Sequence, residues 1–153
     1  MNYKKIIIPI ILSLCFFLLI YKNYKNKKVE YKEIYILQVG AYKSYDNVIN
    51  KTKYLDNYII YKENDLYKIF LGVSLNNNTY NKLENFYNED STFKKVIKIS
   101  NEEYINNLKK YDTLINETND KELLNTIIKK ELRELEIILK WFWFYDTITI
   151  DRR

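Results

Sequence analysis

A chain of 153 residues that is 47% hydrophobic and 29% charged has the composition of one small folded domain with an appendage. It contains no histidine and a single cysteine, Cys15, which excludes most zinc sites, Ser-His and Cys-His catalysis, and an internal disulfide. We therefore expect a binding protein rather than an enzyme, with no metal and no cofactor. The net charge of +5 permits an anionic partner without requiring one.

The N-terminal segment, residues 1–21, is predicted to be a membrane anchor. The run Ile6–Ile20 carries no charge and is flanked by Lys5 and Lys22. As a helix it would extend about 22 Å, which is short of the ~30 Å hydrocarbon core but workable if the lysines snorkel. A cleaved signal peptide is the competing interpretation, but no small-residue cleavage site follows the run. We predict an uncleaved single-pass anchor and, at residues 22–33, a polar linker.

The body of the chain alternates strand and helix patterns in the order βαββαβ. Strands are predicted at Ile34–Val39, Tyr58–Tyr61, Tyr67–Leu71 and Lys95–Ile99, and helices at Asp46–Leu55 and Asn78–Tyr87. Two βαβ-like halves would form a four-stranded antiparallel sheet with both helices on one face. We therefore predict an α+β fold with a ferredoxin-like domain over residues 34–100.

The only two glycines of the chain follow the two longest strand patterns. Gly40 comes after the first and Gly72 after the third. A glycine lets the backbone turn sharply or lets a ligand approach closely. We expect each glycine to end its strand.

Residues 101–140 are predicted to form a C-terminal helical hairpin. The segment Ser100–Glu103 has the S-x-x-E pattern of a capping box, and Asn116–Asp120 offers a second helix start. We expect the hairpin to pack at an edge of the sheet or on its helix side. The aromatic stretch at residues 141–153 stays unassigned.

The stretch Tyr35–Tyr42, YILQVGAY, resembles the first strand of SPOR domains, the sporulation-related repeat of bacterial envelope proteins. That family opens with a hydrophobic-Gln-hydrophobic-Gly-small-aromatic pattern, and IFLG at Ile69–Gly72 is similar to the end of its third strand. The resemblance covers Ile34–Ser100. It implies a non-enzymatic domain that binds peptidoglycan glycan strands stripped of their stem peptides, at division or sporulation septa.

Side-chain alternation along the strands selects candidate glycan-binding residues. We expect five residues to lie on the open face, away from the helices: Gln38, Gly40, Lys68, Phe70 and Gly72. The Gln38 amide can donate to and accept from an N-acetyl group, and Phe70 offers a flat apolar surface to a sugar ring. Lys68 can bind hydroxyls or the lactyl carboxylate that is exposed when a peptide is removed. The hairpin is expected to leave Gln38 accessible.

Two other functions compete with glycan binding. An RNA-binding RRM has a similar sheet, but YKIFLGVS lacks the RRM third-strand signature, so no nucleic-acid partner is predicted. The alternative kept open is a non-enzymatic membrane-anchored scaffold whose hairpin binds a partner protein or a second copy of the chain. Lysines after the apolar run would favour a cytoplasmic body by the positive-inside rule alone. We predict a single-pass cell-membrane protein with its body on the extracytoplasmic side.

Overall fold

The computed structural model of the chain describes residues 13–22 and 30–145, the last five as backbone alone. The chain divides into two compact units, Met1–Glu30 and Tyr31–Arg153. In the first unit, the described residues 13–22 are helical (α1) and exposed. The rest of the predicted anchor and most of the predicted linker lie outside the described residues. Within the described ranges, no helix combines the length and the apolar character needed to cross a membrane.

The second unit is a four-stranded antiparallel sheet with helices, which confirms the α+β class and the βαββαβ order. The strand order is β2-β3-β1-β4, and all three neighbouring pairs are antiparallel. The elements in chain order are β1 (Lys32–Tyr42), α2 (Tyr45–Thr52), β2 (Ile59–Glu63), β3 (Leu66–Ser74), α3 (Asn77–Tyr87), β4 (Thr92–Ile99), α4 (Glu102–Glu117) and α5 (Lys121–Tyr145).

Short polar residues cap the N-termini of the helices, because their side chains accept hydrogen bonds from main-chain N–H groups that have no partner inside the helix. Ser44 is the N-terminal cap of α2, and Asn76 is the N-terminal cap of α3. The predicted capping box at Ser100 is displaced by one residue, since Asn101 caps α4 by accepting from the N–H of Tyr104 at 2.9 Å. Asp120 accepts from the first N–H groups of α5. The predicted hairpin is therefore present, and its second helix continues beyond residue 140 to Tyr145, while residues 146–153 lie outside the described part.

The prediction that Gly40 ends a strand is wrong, because β1 continues to Tyr42. Gly40 instead forms a bulge with φ +74°, a left-handed conformation that favours glycine. A Cβ at this position would lie 2.5 Å from the hydroxyl oxygen of Tyr42. The Gln38 side-chain amide donates to the Gly40 carbonyl at 3.1 Å. The Gln-x-Gly-x-Tyr pattern is thus a local structural unit in which the flanking side chains hold the bulge.

Gly72 does not end a strand either, since β3 continues to Ser74. A Cβ at Gly72 would lie 2.9 Å from a methyl carbon of Leu83, so the residue is small because α3 packs directly onto it. The pairing with β1 shifts here: Leu37 pairs with Gly72, whereas Gln38 pairs with Phe70. The extra residue reverses the side-chain alternation of β3. Gly72 therefore faces α3, while Phe70 faces the opposite side of the sheet.

The sheet face that was predicted to be open is covered by the hairpin. Ile36 and Phe70 on this face are both 0% exposed, and with Leu139 of α5 they line a cavity of about 10 Å³. The apolar stripes of α4 and α5 pack with the sheet in a single core. The helix residues in this core include Tyr104, Leu108, Ile115, Leu124, Ile128, Leu132, Leu135 and Leu139. The expected packing at an edge or on the helix side is met only in part: Asn116 of α4 donates to Thr79 of α3, and Lys82 of α3 donates to the Thr118 carbonyl. The hairpin also covers the Phe70 face, which was not expected, because its apolar stripes need a large apolar surface and the sheet supplies it.

Candidate functional site

The structure separates the five residues that were predicted to bind glycan. Phe70 and Gly72 are buried and face opposite sides of the sheet, so neither is available to a ligand. Gly40 is half-buried in its bulge. Gln38 and Lys68 lie on the face of Phe70 and remain partly exposed. Of the predicted set, Gln38 and Lys68 alone keep a position from which their side chains can meet a ligand.

One end of this face stays uncovered and presents an aromatic ring that was not predicted. Gln38 pairs directly with Phe93 across β1 and β4. Because directly opposed residues of antiparallel strands share a face, Phe93 lies beside Gln38 on the side of Phe70. The Phe93 side chain is 58% exposed. We name the exposed Phe93, the part-buried Gln38, Lys68 and Lys95, and the buried Glu63 together the exposed sheet end, after its exposed ring.

Phe93 was missed because the last strand was predicted to begin at Lys95, whereas β4 begins at Thr92. The sequence did carry a signal: the segment TFKKVIKI starts with two residues of high strand propensity. Lys94 and Lys95 interrupt the apolar alternation after Phe93, so the first half of the strand could not be recognised from the sequence pattern. The flat apolar surface expected of Phe70 is therefore supplied by Phe93.

Gln38 keeps hydrogen-bonding capacity after stabilising the bulge. One amide hydrogen is committed to the Gly40 carbonyl. Within residues 30–145, no other hydrogen bond is made by this side chain, which leaves one N–H donor and the carbonyl oxygen. The hydrogen bond to the bulge orients the amide, so the remaining donor and acceptor have a defined direction at the position paired with Phe93.

Two lysines share one carboxylate next to this pair. Lys95 on β4 donates to Glu63 on β2 at 2.7 Å, and Lys68 on β3 donates to the same oxygen. Since β4 and β2 are the two edges of the sheet, the ion pair bridges the whole face. The Lys95 nitrogen passes 5.6 Å from the ring centre of Phe70 and 5.8 Å from that of Tyr61, and the two rings are stacked. The ion pair therefore lies at the boundary of the core, next to the rings of Phe70 and Tyr61.

The electrostatics of the bridge favour an additional anion. Burial raises the pKa of Glu63, but the hydrogen bonds from Lys68 and Lys95 outweigh it, and the net pKa lies below the ordinary value. Burial lowers the pKa of Lys95, and the hydrogen bond to Glu63 only partly opposes this. Two ammonium groups facing one carboxylate leave one unbalanced positive charge, which suits a ligand carboxylate. Among the described residues, no group of three or more Cys, Asp or Glu side chains could hold a metal ion.

The exposed sheet end thus combines an aromatic surface, an oriented amide and a surplus positive charge within a shallow surface. Comparison with protein-family models, with curated proteins and with solved structures gives no match to this chain. These side chains and the residue pattern around Gln38 and Gly40 are the features that indicate its ligand.

Proposed function

We propose that the chain is a non-enzymatic peptidoglycan-binding protein that recognises denuded glycan strands at division or sporulation septa. The observation that carries this proposal is the pair of Gln38 and the exposed Phe93 beside the surplus charge of Lys68 and Lys95. The SPOR-like pattern YILQVGAY and the strand order β2-β3-β1-β4, a ferredoxin-like arrangement, support it.

Four of the five side chains of the exposed sheet end have a counterpart in a denuded glycan, and Glu63 holds the two lysines in place. The face of a sugar ring stacks on Phe93, and the remaining donor and acceptor of Gln38 bind an N-acetyl group. The surplus charge of Lys68 and Lys95 attracts the lactyl carboxylate, which is free only after the stem peptide has been removed. An intact stem peptide is bulky against so shallow a surface. The site therefore favours bare strands over peptide-bearing ones.

The hairpin scaffold is the less favoured interpretation. That interpretation needs the apolar stripes of the two hairpin helices to be free for a partner protein. In the structure most residues of these stripes are buried in the same core as the sheet, and Leu123 stays about half exposed. Since they already have a covering surface, the argument for a partner at the hairpin loses its basis.

The proposal places the body of the protein outside the cytoplasmic membrane, with residues 1–21 as the anchor. A Lys43→Cys variant tests this in a Cys15→Ser background, because Cys15 is the only native cysteine and Lys43 is exposed. In intact cells that lack a wall, a membrane-impermeant thiol reagent should label the new cysteine. Labelling only after the membrane has been broken would place the body inside and contradict the proposal.

The decisive experiment compares binding of the full-length chain to purified sacculi before and after amidase treatment. We expect stronger binding to treated sacculi, and we expect Phe93→Ala to reduce that binding about tenfold, the equivalent of about 1.4 kcal/mol. Tyr54→Ala is the matched control, since Tyr54 is an aromatic residue that is 89% exposed in the turn after α2 and is not part of the exposed sheet end. Equal binding to both kinds of sacculi, or no effect of Phe93→Ala, would overturn the proposal.

A further inference from the structure

The outer edge of β4 has no covering element in the described structure. β4 pairs with β1 along its whole length, from Ile99 opposite Lys32 to Thr92 opposite Val39. Its other side is an edge of the sheet, and within residues 30–145 no main-chain hydrogen bond outside the β1–β4 ladder involves Thr92–Ile99. The strand is eight residues long. Its outward N–H and C=O groups form a template on which a further strand can pair.

The side chains along this edge are basic around an apolar centre. The strand TFKKVIKI contains three lysines and no acidic residue. Lys94, Val96 and Lys98 follow one another on the same face because strand side chains alternate. Val96 is 44% exposed between the two lysines. One face of the edge strand therefore presents a positive charge at Lys94, an apolar side chain at Val96 and a second positive charge at Lys98.

The two lysines of this row differ in how firmly they are held. The Lys94 nitrogen donates to Asn77 at 2.8 Å and lies 4.2 Å from the ring centre of Tyr80, so its charge has a fixed position. Lys98 is 3.8 Å from Glu33, and both side chains are solvent-exposed. Such a long surface ion pair contributes little and exchanges readily for another carboxylate.

We propose that the edge of β4 is a docking site for an extended acidic segment of another protein, which adds as a fifth strand. Main-chain hydrogen bonds along the edge supply affinity, and carboxylates opposite Lys94 and Lys98, with an apolar residue opposite Val96, supply specificity. The side-chain contacts of this interaction lie on the α3 side of β4, whereas the proposed glycan binding uses the opposite side of the same strand at Phe93.

A second copy of the chain does not suit this edge. Antiparallel pairing of two β4 strands centred on Val96 would place Lys94 of each copy opposite Lys98 of the other. Like charges directly opposed across strands are destabilising. Lysines on an edge strand are also a common guard against self-association, and the experiment has to distinguish a guarded edge from a docking site.

The test measures amide hydrogen exchange of the full-length chain with two synthetic peptides. The acidic probe is Thr-Glu-Thr-Val-Thr-Glu-Thr, and the control peptide has lysine in place of both glutamates. With saturating acidic peptide, exchange within Thr92–Ile99 should slow at least tenfold, and raising the salt concentration should weaken the effect. The lysine peptide should leave exchange unchanged.

Charge reversal gives the matched variants. Lys98→Glu should weaken binding of the acidic peptide, and Lys94→Glu combined with Lys98→Glu should transfer the preference to the lysine peptide. Because Lys94 also contacts Asn77 and Tyr80, the single Lys98→Glu variant keeps the test valid if the double variant does not fold. The proposal fails if the acidic peptide slows no β4 amide, if both peptides act equally, or if protection appears elsewhere in the chain.

Discussion

Glu131 on α5 accepts a hydrogen bond from the main-chain N–H of Val73 on β3 at 3.5 Å, inside the core. β2 pairs with β3 only as far as Phe70, so the carboxylate takes the place of a neighbouring strand. Asp112 on α4 does the same for the N–H of Leu75 at 3.0 Å. The second oxygen of each carboxylate has no hydrogen-bond partner in the described structure. Each helix of the hairpin is thus attached to the end of β3 by one buried carboxylate.

This arrangement predicts that the protein loses stability as the pH rises. Burial raises the pKa of Glu131 well above its ordinary value, and the nearby Asp112 carboxylate adds to the shift. Burial raises the pKa of Asp112 to about 6, although hydrogen bonds from the Leu75 N–H and the Asn76 side chain oppose it. The folded state therefore binds more protons than the unfolded state above pH ~4. The contribution of these two carboxyls to the free energy of unfolding in urea should be fully present below that pH and should fall as the pH rises through their folded pKa values.

Glu131→Gln should raise stability at pH 7 by about 1–2 kcal/mol and flatten the pH dependence, since glutamine is neutral and folding then requires neither the uptake of a proton nor the burial of a charge. Glu122→Gln is the control, because Glu122 is exposed in the first turn of the same helix. Urea unfolding from pH 4 to pH 8 checks both variants. A wild-type stability that stays constant or increases between pH 5 and pH 7 would contradict the prediction.

The bulge at Gly40 should show a measurable coupling to Tyr42. Gly40→Ala should cost about 1–2 kcal/mol for the left-handed backbone alone, and more because the new methyl group meets the tyrosine ring. In a Tyr42→Ala background the ring is absent and only the backbone cost remains. A double-mutant cycle by thermal and urea unfolding should therefore give a smaller cost for Gly40→Ala in that background. Strict additivity would show that the ring does not cover the glycine.

The Glu63 bridge should respond non-additively to loss of its lysines. Lys68→Met or Lys95→Met alone leaves Glu63 with one partner, whereas the double variant leaves a largely buried carboxylate with none. We expect a coupling energy of about 1–3 kcal/mol in urea unfolding. Adding Glu63→Gln to the double variant should recover part of the loss. Because the folded pKa of Glu63 is lowered, its contribution should be present above its ordinary pKa and lost as the pH falls through the folded value.

Phe70 and Phe93 lie on one face of the sheet but should contribute differently to the stability of the fold. Phe70→Ala removes a ring that is 0% exposed and should cost about 3–5 kcal/mol of stability. Phe93→Ala should change stability by no more than about 0.5 kcal/mol, since the ring is mostly exposed. Thermal unfolding of both variants checks this. A large loss with Phe93→Ala would show that the ring packs in the fold and is not free for a ligand.

The sequence by itself determined the features that depend on neighbours along the chain. Strand and helix periodicity is local, so the βαββαβ order and the hairpin could be predicted. Helix starts were located to within about a residue, because capping is a contact between residues two or three positions apart. The motif of Gln38, Gly40 and Tyr42 was recognised as a unit for the same reason, although its physical role is a bulge within β1.

Only the tertiary structure decided which surface is free. One extra residue in β3 reverses its alternation, so Phe70 and Gly72 face opposite sides although they are two positions apart. The cover of α4 and α5 over the sheet depends on contacts between residues far apart in the chain, which no local pattern encodes. That cover buries Phe70 and leaves Phe93 exposed beside Gln38. The candidate site therefore follows from long-range packing, because the burial of apolar helix stripes outweighs the open face that a four-stranded sheet would otherwise present.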